Sequence, residues 1–196
     1  MGQLPLSAVP RVLGVVLAAG SGTRMGAPKA SLVVAGERLL DRAVVALRNG
    51  LCDDVVAVVP AGVAGADGTP TLENTSADTG MRSSLELALT VAQGYDALAV
   101  MLVDTPGVGA DAVAAVVEHW RSAPARISVA GYNGRRGHPT VMAVERWAAA
   151  AALAGPDEGA RAYLQAHAAD VDEVAVEGDA TDLDTPADLA RWLAGR

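Results

Sequence analysis

Phenylalanine is absent from this chain, and tryptophan and tyrosine occur three times each. Its core therefore has to be assembled from Val, Leu and Ala. Cysteine is as scarce: Cys52 stands alone, which excludes an internal disulfide and any cysteine-rich metal site. Basic residues are outnumbered, 15 Lys and Arg against 23 Asp and Glu, for a net charge of -8. A chain without a basic surface is a poor match for a polyanion, whose binding depends on clustered cations, so no nucleic-acid partner is expected. No apolar run is long enough to span a bilayer. The start, MGQLPLSAVPRVLG, lacks a basic stretch followed by a long apolar one, so no signal peptide and a cytoplasmic location are expected. What is present argues for a packed protein. Hydrophobic residues make up 51% and charged residues 19% of 196 positions, too apolar for disorder and enough for one domain with a substantial core.

Three apolar, β-branched runs read as strands buried on both faces of a parallel sheet: residues 12–19, 54–59 and 97–103. Residues 71–73, 127–130, 140–144 and 171–176 read as further strands, and 30–34 as a short extended piece. Helical spacing appears in Leu40, Ala43, Val44 and Leu47, in Met81, Leu85, Ala88, Leu89 and Ala92, and in Val113, Val116, Val117 and Trp120. Alanine-rich helices are expected around 145–153 and 158–167, and the stretch YNGRRGHP is read as a loop between two strands. Thr185-Pro186-Ala187-Asp188 reads as a helix start, with a Thr cap, Pro at the first position and an acidic first turn. Strands alternating with helices predict an α/β, three-layer, Rossmann-like fold with a mostly parallel sheet, whose ligands bind at the carboxyl ends of the strands.

At the end of the first strand, VVLAAGSGTRMGAPK (15–29) opens into a loop with Gly20, Gly22 and Gly26, followed or accompanied by Arg24 and Lys29. Glycines let backbone amides approach a phosphate chain, and the cations supply charge. A P-loop requires Lys-Ser or Lys-Thr directly after its last glycine, which Gly26-Ala27-Pro28-Lys29 does not offer. The dinucleotide fingerprint also fails, because Met25 stands where its third glycine belongs and Pro60-Ala61 where its acidic residue belongs. From the residues alone, both a phosphate-holding loop and a plain strand-to-helix turn with solvated cations remain open.

LAAGSGTRMGAPK resembles the signature LxAGxGxRMGxxK of the MobA-like nucleotidyltransferases. The likeness continues along the chain. Gly80-Met81-Arg82-Ser83-Ser84-Leu85 is similar to G-M-x-x-S-L, and Leu102-Val103-Asp104-Thr105-Pro106 to L-x-D-x-P. Gly137-His138-Pro139 is similar to G-H-P, and residues 182–189 to D-I-D-T-P-x-D-L. The resemblance implies a single domain over residues 1–196 with the nucleotide-diphospho-sugar transferase fold. It further implies an NTP held by Leu17, Ala18, Ala19, Gly20, Gly22, Gly26, Lys29, Gly80 and Ser84, with Arg24 and Lys29 on the phosphates. Mg²⁺ would be held by Asp104 with Asp184 or Asp182, and His138 and Pro139 would lie near the acceptor. Arg24, Lys29 and Asp104 are the implied catalytic residues.

The implied reaction is transfer of a nucleotidyl group to a small phosphorylated acceptor with release of pyrophosphate. The acceptor brings its own nucleophile, so no covalent enzyme intermediate is required, and catalysis is positioning plus charge stabilisation. In this family LAAG accompanies cytosine and LAGG guanine. Ala19 together with G-H-P therefore points to CTP as donor and the molybdenum cofactor as acceptor, with a molybdenum enzyme as a possible recipient. Three alternatives remain. One is an NAD(P)H-linked nicotine-blue-type oxidoreductase, and one is a non-catalytic chaperone that delivers cofactor. The third is a transferase for another small phosphorylated acceptor, such as a sugar phosphate or isoprenoid precursor.

Overall fold

The structure, a computed structural model, describes residues 9–20, 22–155 and 158–195. The reading of the first eight residues as free of a signal peptide lies outside them. Strand β1 (Val12–Leu17) is buried at every position, as its unbroken apolar sequence requires. A small hairpin of β2 (Val33–Val34) and β3 (Glu37–Arg38) precedes helix α1 (Leu39–Asn49). The chain then forms β4 (Asp54–Pro60), β5 (Thr71–Asn74), α2 (Met81–Leu89), β6 (Ala97–Leu102) and α3 (Ala110–Ser122). Its last part holds β7 (Ile127–Tyr132), β8 (Arg135–Ala143), α4 (Val144–Leu153), α5 (Arg161–Ala166), β9 (Val171–Ala175) and α6 (Pro186–Ala194).

Seven strands form one sheet in the order β5-β4-β1-β6-β8-β7-β9. Every neighbouring pair is parallel except the two that involve β8. Helices cover both faces, which gives the three layers expected. Leu40, Leu47, Val113 and Trp120 of α1 and α3, with Trp192 of α6, pack in one core cluster. Leu85, Trp147 and Tyr163 of α2, α4 and α5 pack in the other. With no phenylalanine to place, the three tryptophans carry the bulk: each is at most 7% exposed, and Trp147 donates its indole N–H to the carbonyl of Leu98 at 2.9 Å. Among the described residues no helix is long and apolar enough to cross a membrane.

Two expectations need correction. YNGRRGHP is not a loop. Asn133 and Gly134 alone make the turn, with φ of 50° and 79°, the left-handed pair whose twist suits a two-residue hairpin. Residues 135–139 therefore lie within β8, so His138 sits on a strand. The stretch 30–34 is extended only from Leu32 onward, with Val33–Val34 paired as a strand, because residues 29–31 coil into a 3₁₀ turn.

The start of α6 is a reciprocal cap. Thr185 Oγ1 accepts from the Asp188 amide at 3.2 Å, and the Asp188 carboxylate accepts from the Thr185 amide at 2.8 Å. Thr185→Ala is expected to cost about 1 kcal/mol in urea unfolding. The Thr185 hydroxyl and then Arg191 hold the Asp188 carboxyl down at about 2, against an ordinary 3.8. A depressed carboxylate supports the fold above its ordinary value and stops doing so as pH falls. Melting temperature should therefore drop as pH falls from 3.8 through about 2, by less in Thr185→Ala than in the parent protein.

Candidate active site

Strands β1 and β6 lie side by side with Leu17 opposite Leu102. The glycine loop and Asp104 consequently leave the sheet next to one another at its carboxyl edge. Inside the loop, Gly22 adopts φ 60°, and a Cβ there would lie 2.0 Å from the Ala27 carbonyl oxygen. The loop thus folds tightly on itself at a position only glycine tolerates. Two 3₁₀ turns, Thr23–Met25 and Lys29–Ser31, then carry Lys29 back across the sheet edge.

There Lys29 Nζ donates to Asp104 Oδ2 at 2.6 Å and to Asp184 Oδ1 at 2.5 Å. The Lys29 and Asp104 side chains are 13% and 15% exposed, while Asp184 is 49% exposed. Burial works against the ammonium's charge, but the bonds to the two carboxylates outweigh it and raise the Lys29 pKa above its ordinary value. The segment bearing Asp184 is fastened by Leu183, whose amide donates to the Asp104 carbonyl at 2.9 Å and whose side chain is fully buried. Desolvation, then the charges of Asp104 and Asp184, raise the Asp182 pKa, with Lys29 and Arg135 opposing.

Two cavities lie beside this cluster: Lys29 and Asp104 line one, Asp182 lines the other, and Asp184 lines neither. The loop-side cavity, of about 290 Å³, is lined by Leu17, Ala19, Gly20, Lys29, Gly80, Ser84 and Asp104, all expected, and by Asp78 and Met81, which were not. The strand-side cavity, of about 480 Å³, has an apolar floor of Val100, Val129 and Trp147. His138, Asp182, Arg135 and Arg161 also line it. Leu17, Met81 and Leu102 line both cavities and form a shared wall. A further cavity of about 400 Å³, around Leu13, Cys52 and Tyr95, lies at the opposite edge of the sheet. It holds none of the expected residues, and burial pushes the Cys52 thiol up to about 12, far from a reactive thiolate.

Not every expected residue reaches the site. Arg24 is exposed on its 3₁₀ turn and lines neither main cavity. Ala18 is buried, with its amide bound to the Val58 carbonyl at 2.8 Å, and the Gly26 amide turns back to Thr23. Gly22 shapes the loop rather than lining the cavity. Pro139 is buried and does not line the strand-side cavity, whereas the partly buried His138 opens onto it. His138 Nδ1 lies 3.3 Å from the Val100 carbonyl. A carbonyl only accepts, so Nδ1 carries the proton and Nε2 is left as an acceptor. Desolvation lowers the pKa of this histidine, keeping the ring neutral at neutral pH. Asn74 was also missed: its side-chain amide donates to Ser83 Oγ at 2.8 Å and Ser84 Oγ at 2.9 Å, pinning the start of α2.

The described residues contain no group of three or more His, Cys, Asp or Glu arranged to hold a metal ion. Asp104 Oδ1 is nevertheless buried without a hydrogen-bond partner, a costly state for a carboxylate oxygen. Mg²⁺ usually takes one or two carboxylates and completes its shell with water and substrate phosphates. Asp104 with Asp184 or Asp182 fits that requirement.

The family model described as MobA-like NTP transferase domain matches residues 14–171. A protein named nicotine blue oxidoreductase, from Paenarthrobacter nicotinovorans, is 33% identical over 201 aligned residues, covering 94% of this chain and 98% of its own. Among solved structures, Rv0371c from Mycobacterium tuberculosis H37Rv superposes with a TM-score of 0.81 at 25% identity, over 95% of this chain and 100% of that one. Rv0371c has also been solved in complex with manganese. The 2-C-methyl-D-erythritol 4-phosphate cytidylyltransferase of Thermus thermophilus superposes with a TM-score of 0.67 at 23% identity, over 92% of this chain and 97% of that one. That last likeness speaks to the fold alone.

Proposed function

We propose that this chain, which belongs to the MobA-like NTP transferase family, transfers CMP from CTP to the phosphate of the molybdenum cofactor and releases pyrophosphate. The observation that carries this reading is the pair of cavities with a common wall, one lined by Lys29 and Asp104 and the other by Asp182. A group transfer needs two substrates bound side by side with reacting atoms meeting at one point. The loop-side cavity is assigned to the nucleotide. Gly20, where a Cβ would meet nothing within 4 Å, leaves backbone open to the phosphates, and Lys29 supplies charge. Ala19 lines the same cavity, and a methyl group there, in place of glycine, favours a pyrimidine over the larger purine. The Asp78 carboxylate on its wall accepts hydrogen bonds only and suits the exocyclic amine of cytosine.

The strand-side cavity is assigned to the acceptor. Its apolar floor suits a flat ring system, Arg135 and Arg161 suit an anionic group, and neutral His138 offers an acceptor nitrogen. Asp104, with Asp184 or Asp182, would hold Mg²⁺, which when bound supplies positive charge to the α-phosphate oxygens. Lys29 would stabilise the departing pyrophosphate, and the shared apolar wall would limit access of water.

The 33% identical relative supports a second reading, an oxidoreductase using a reduced nicotinamide cofactor. Met25 and Pro60 stand against it, at the places where a dinucleotide fingerprint needs glycine and an acid. Thermal shift separates the two. CTP with MgCl₂ should raise the melting temperature, corresponding to about 2.7 kcal/mol at one hundred times Kd, while NADH and NADPH should leave it unchanged. A shift with GTP but not CTP would overturn the base assignment, and a shift with NADH alone would favour the oxidoreductase.

A further inference from the structure

Lys29 spends two of its three ammonium hydrogens on carboxylates from separate parts of the chain, at 2.6 Å and 2.5 Å. The two acids it joins are Asp104 and Asp184, two of the three candidate ligands of the divalent cation. Asp104 is mostly buried, and two carboxylates brought this close repel each other strongly without a cation between them. Leu183 holds their backbones together whatever the charges do. Lys29 also lines the loop-side cavity, and its four-carbon stem lets the ammonium swing without moving the loop. The same ammonium cannot give those hydrogens to the carboxylates and to a polyphosphate together.

We propose that Lys29 is the resident counter-ion of Asp104 and Asp184 while the protein is free of nucleotide. It leaves them for the polyphosphate when nucleotide arrives, so the divalent cation enters with the nucleotide and not before it. Lys29 is then a positioning residue for the metal site as well as a phosphate contact. The inference rests on Asp104 and Asp184 as cation ligands, within the reading given above.

The test is a titration of the whole protein with MnCl₂ and no nucleotide, following free Mn²⁺ by electron paramagnetic resonance. The parent protein should bind Mn²⁺ weakly, and Lys29→Met should bind at least about tenfold tighter, because a competing positive charge has gone. Lys29→Arg, which keeps the charge, should bind as weakly as the parent. Equal Mn²⁺ affinity in the parent and Lys29→Met, or tight binding by Lys29→Arg, would overturn the proposal. If Lys29→Met does not fold, the parent decides alone. The Lys29 side-chain NMR signal should be unmoved by MgCl₂ alone, and a shift under MgCl₂ alone would overturn the proposal. No CTP enters these measurements, so a wrong nucleotide assignment shows itself elsewhere, as absent pyrophosphate release.

Discussion

Asp104→Ala is expected to lower metal-dependent pyrophosphate release by about 10³-fold or more while leaving the protein folded. Losing a metal ligand at a developing phosphate charge costs several kcal/mol of transition-state stabilisation, and each ~1.4 kcal/mol is tenfold in rate. The fold should tolerate the change. The Asp104 carbonyl, not its side chain, receives the Leu183 amide, so the tether to the last helix survives. Oδ1 has no partner to lose, and Lys29 keeps Asp184. Asp104→Asn preserves shape and removes charge, and it should be nearly as inactive. Steady-state pyrophosphate release, with a thermal melt of each variant, checks both halves. Undiminished turnover in Asp104→Ala would remove this residue from the metal site.

Gly22→Ala is the second substitution with a large expected effect. A Cβ at this position lies 2.0 Å from the Ala27 carbonyl oxygen and 2.9 Å from its carbon, on a backbone with φ 60°. Neither atom is the end of a flexible side chain, so the loop itself must move. Strain of about 1–3 kcal/mol is the expected cost, and a displaced loop should weaken nucleotide binding by about 10- to 100-fold. The 3₁₀ turn that follows has no buried residue, so the core should survive and the melting temperature without nucleotide should fall only a little. Gly26→Ala is the control. Its φ of 76° is also left-handed, but nothing lies within 4 Å of the added carbon, so about 1–2 kcal/mol of backbone cost remains without a clash. Nucleotide titration of both variants should rank Gly22→Ala as the weaker binder. Equal affinity would mean that the tight closure at Ala27 is not needed for binding.

The parallel centre of the sheet was legible because β1, β4 and β6 are buried on both faces, which leaves an unbroken apolar run in each. The β7–β8 hairpin was harder to read. Its second strand begins with Arg135 to His138, which are polar and partly exposed, so only Thr140 onward looked like a strand, and Asn133-Gly134 was absorbed into the apparent loop. The motifs located Lys29, Asp104 and Asp184, but not the bond between the Leu183 amide and the Asp104 carbonyl that brings the last acids to the edge of β6. Such a tether depends on where two distant segments meet, and no local pattern encodes it. The same holds for Asp78 and Arg161. A single charge on a turn or at a helix start looks like solvated surface until the fold supplies a cavity beside it. Arg24 went the other way: it stands in the signature, yet its exposed side chain lines neither cavity.

Pyrophosphate release by the purified protein, with each of the four NTPs, MgCl₂ and molybdenum cofactor, tests the account most directly. It predicts release from CTP that depends on the acceptor and disappears on chelation of the metal. Absence of pyrophosphate from all four NTPs, with NADH consumed in the presence of a nicotine-blue-type dye, would contradict it.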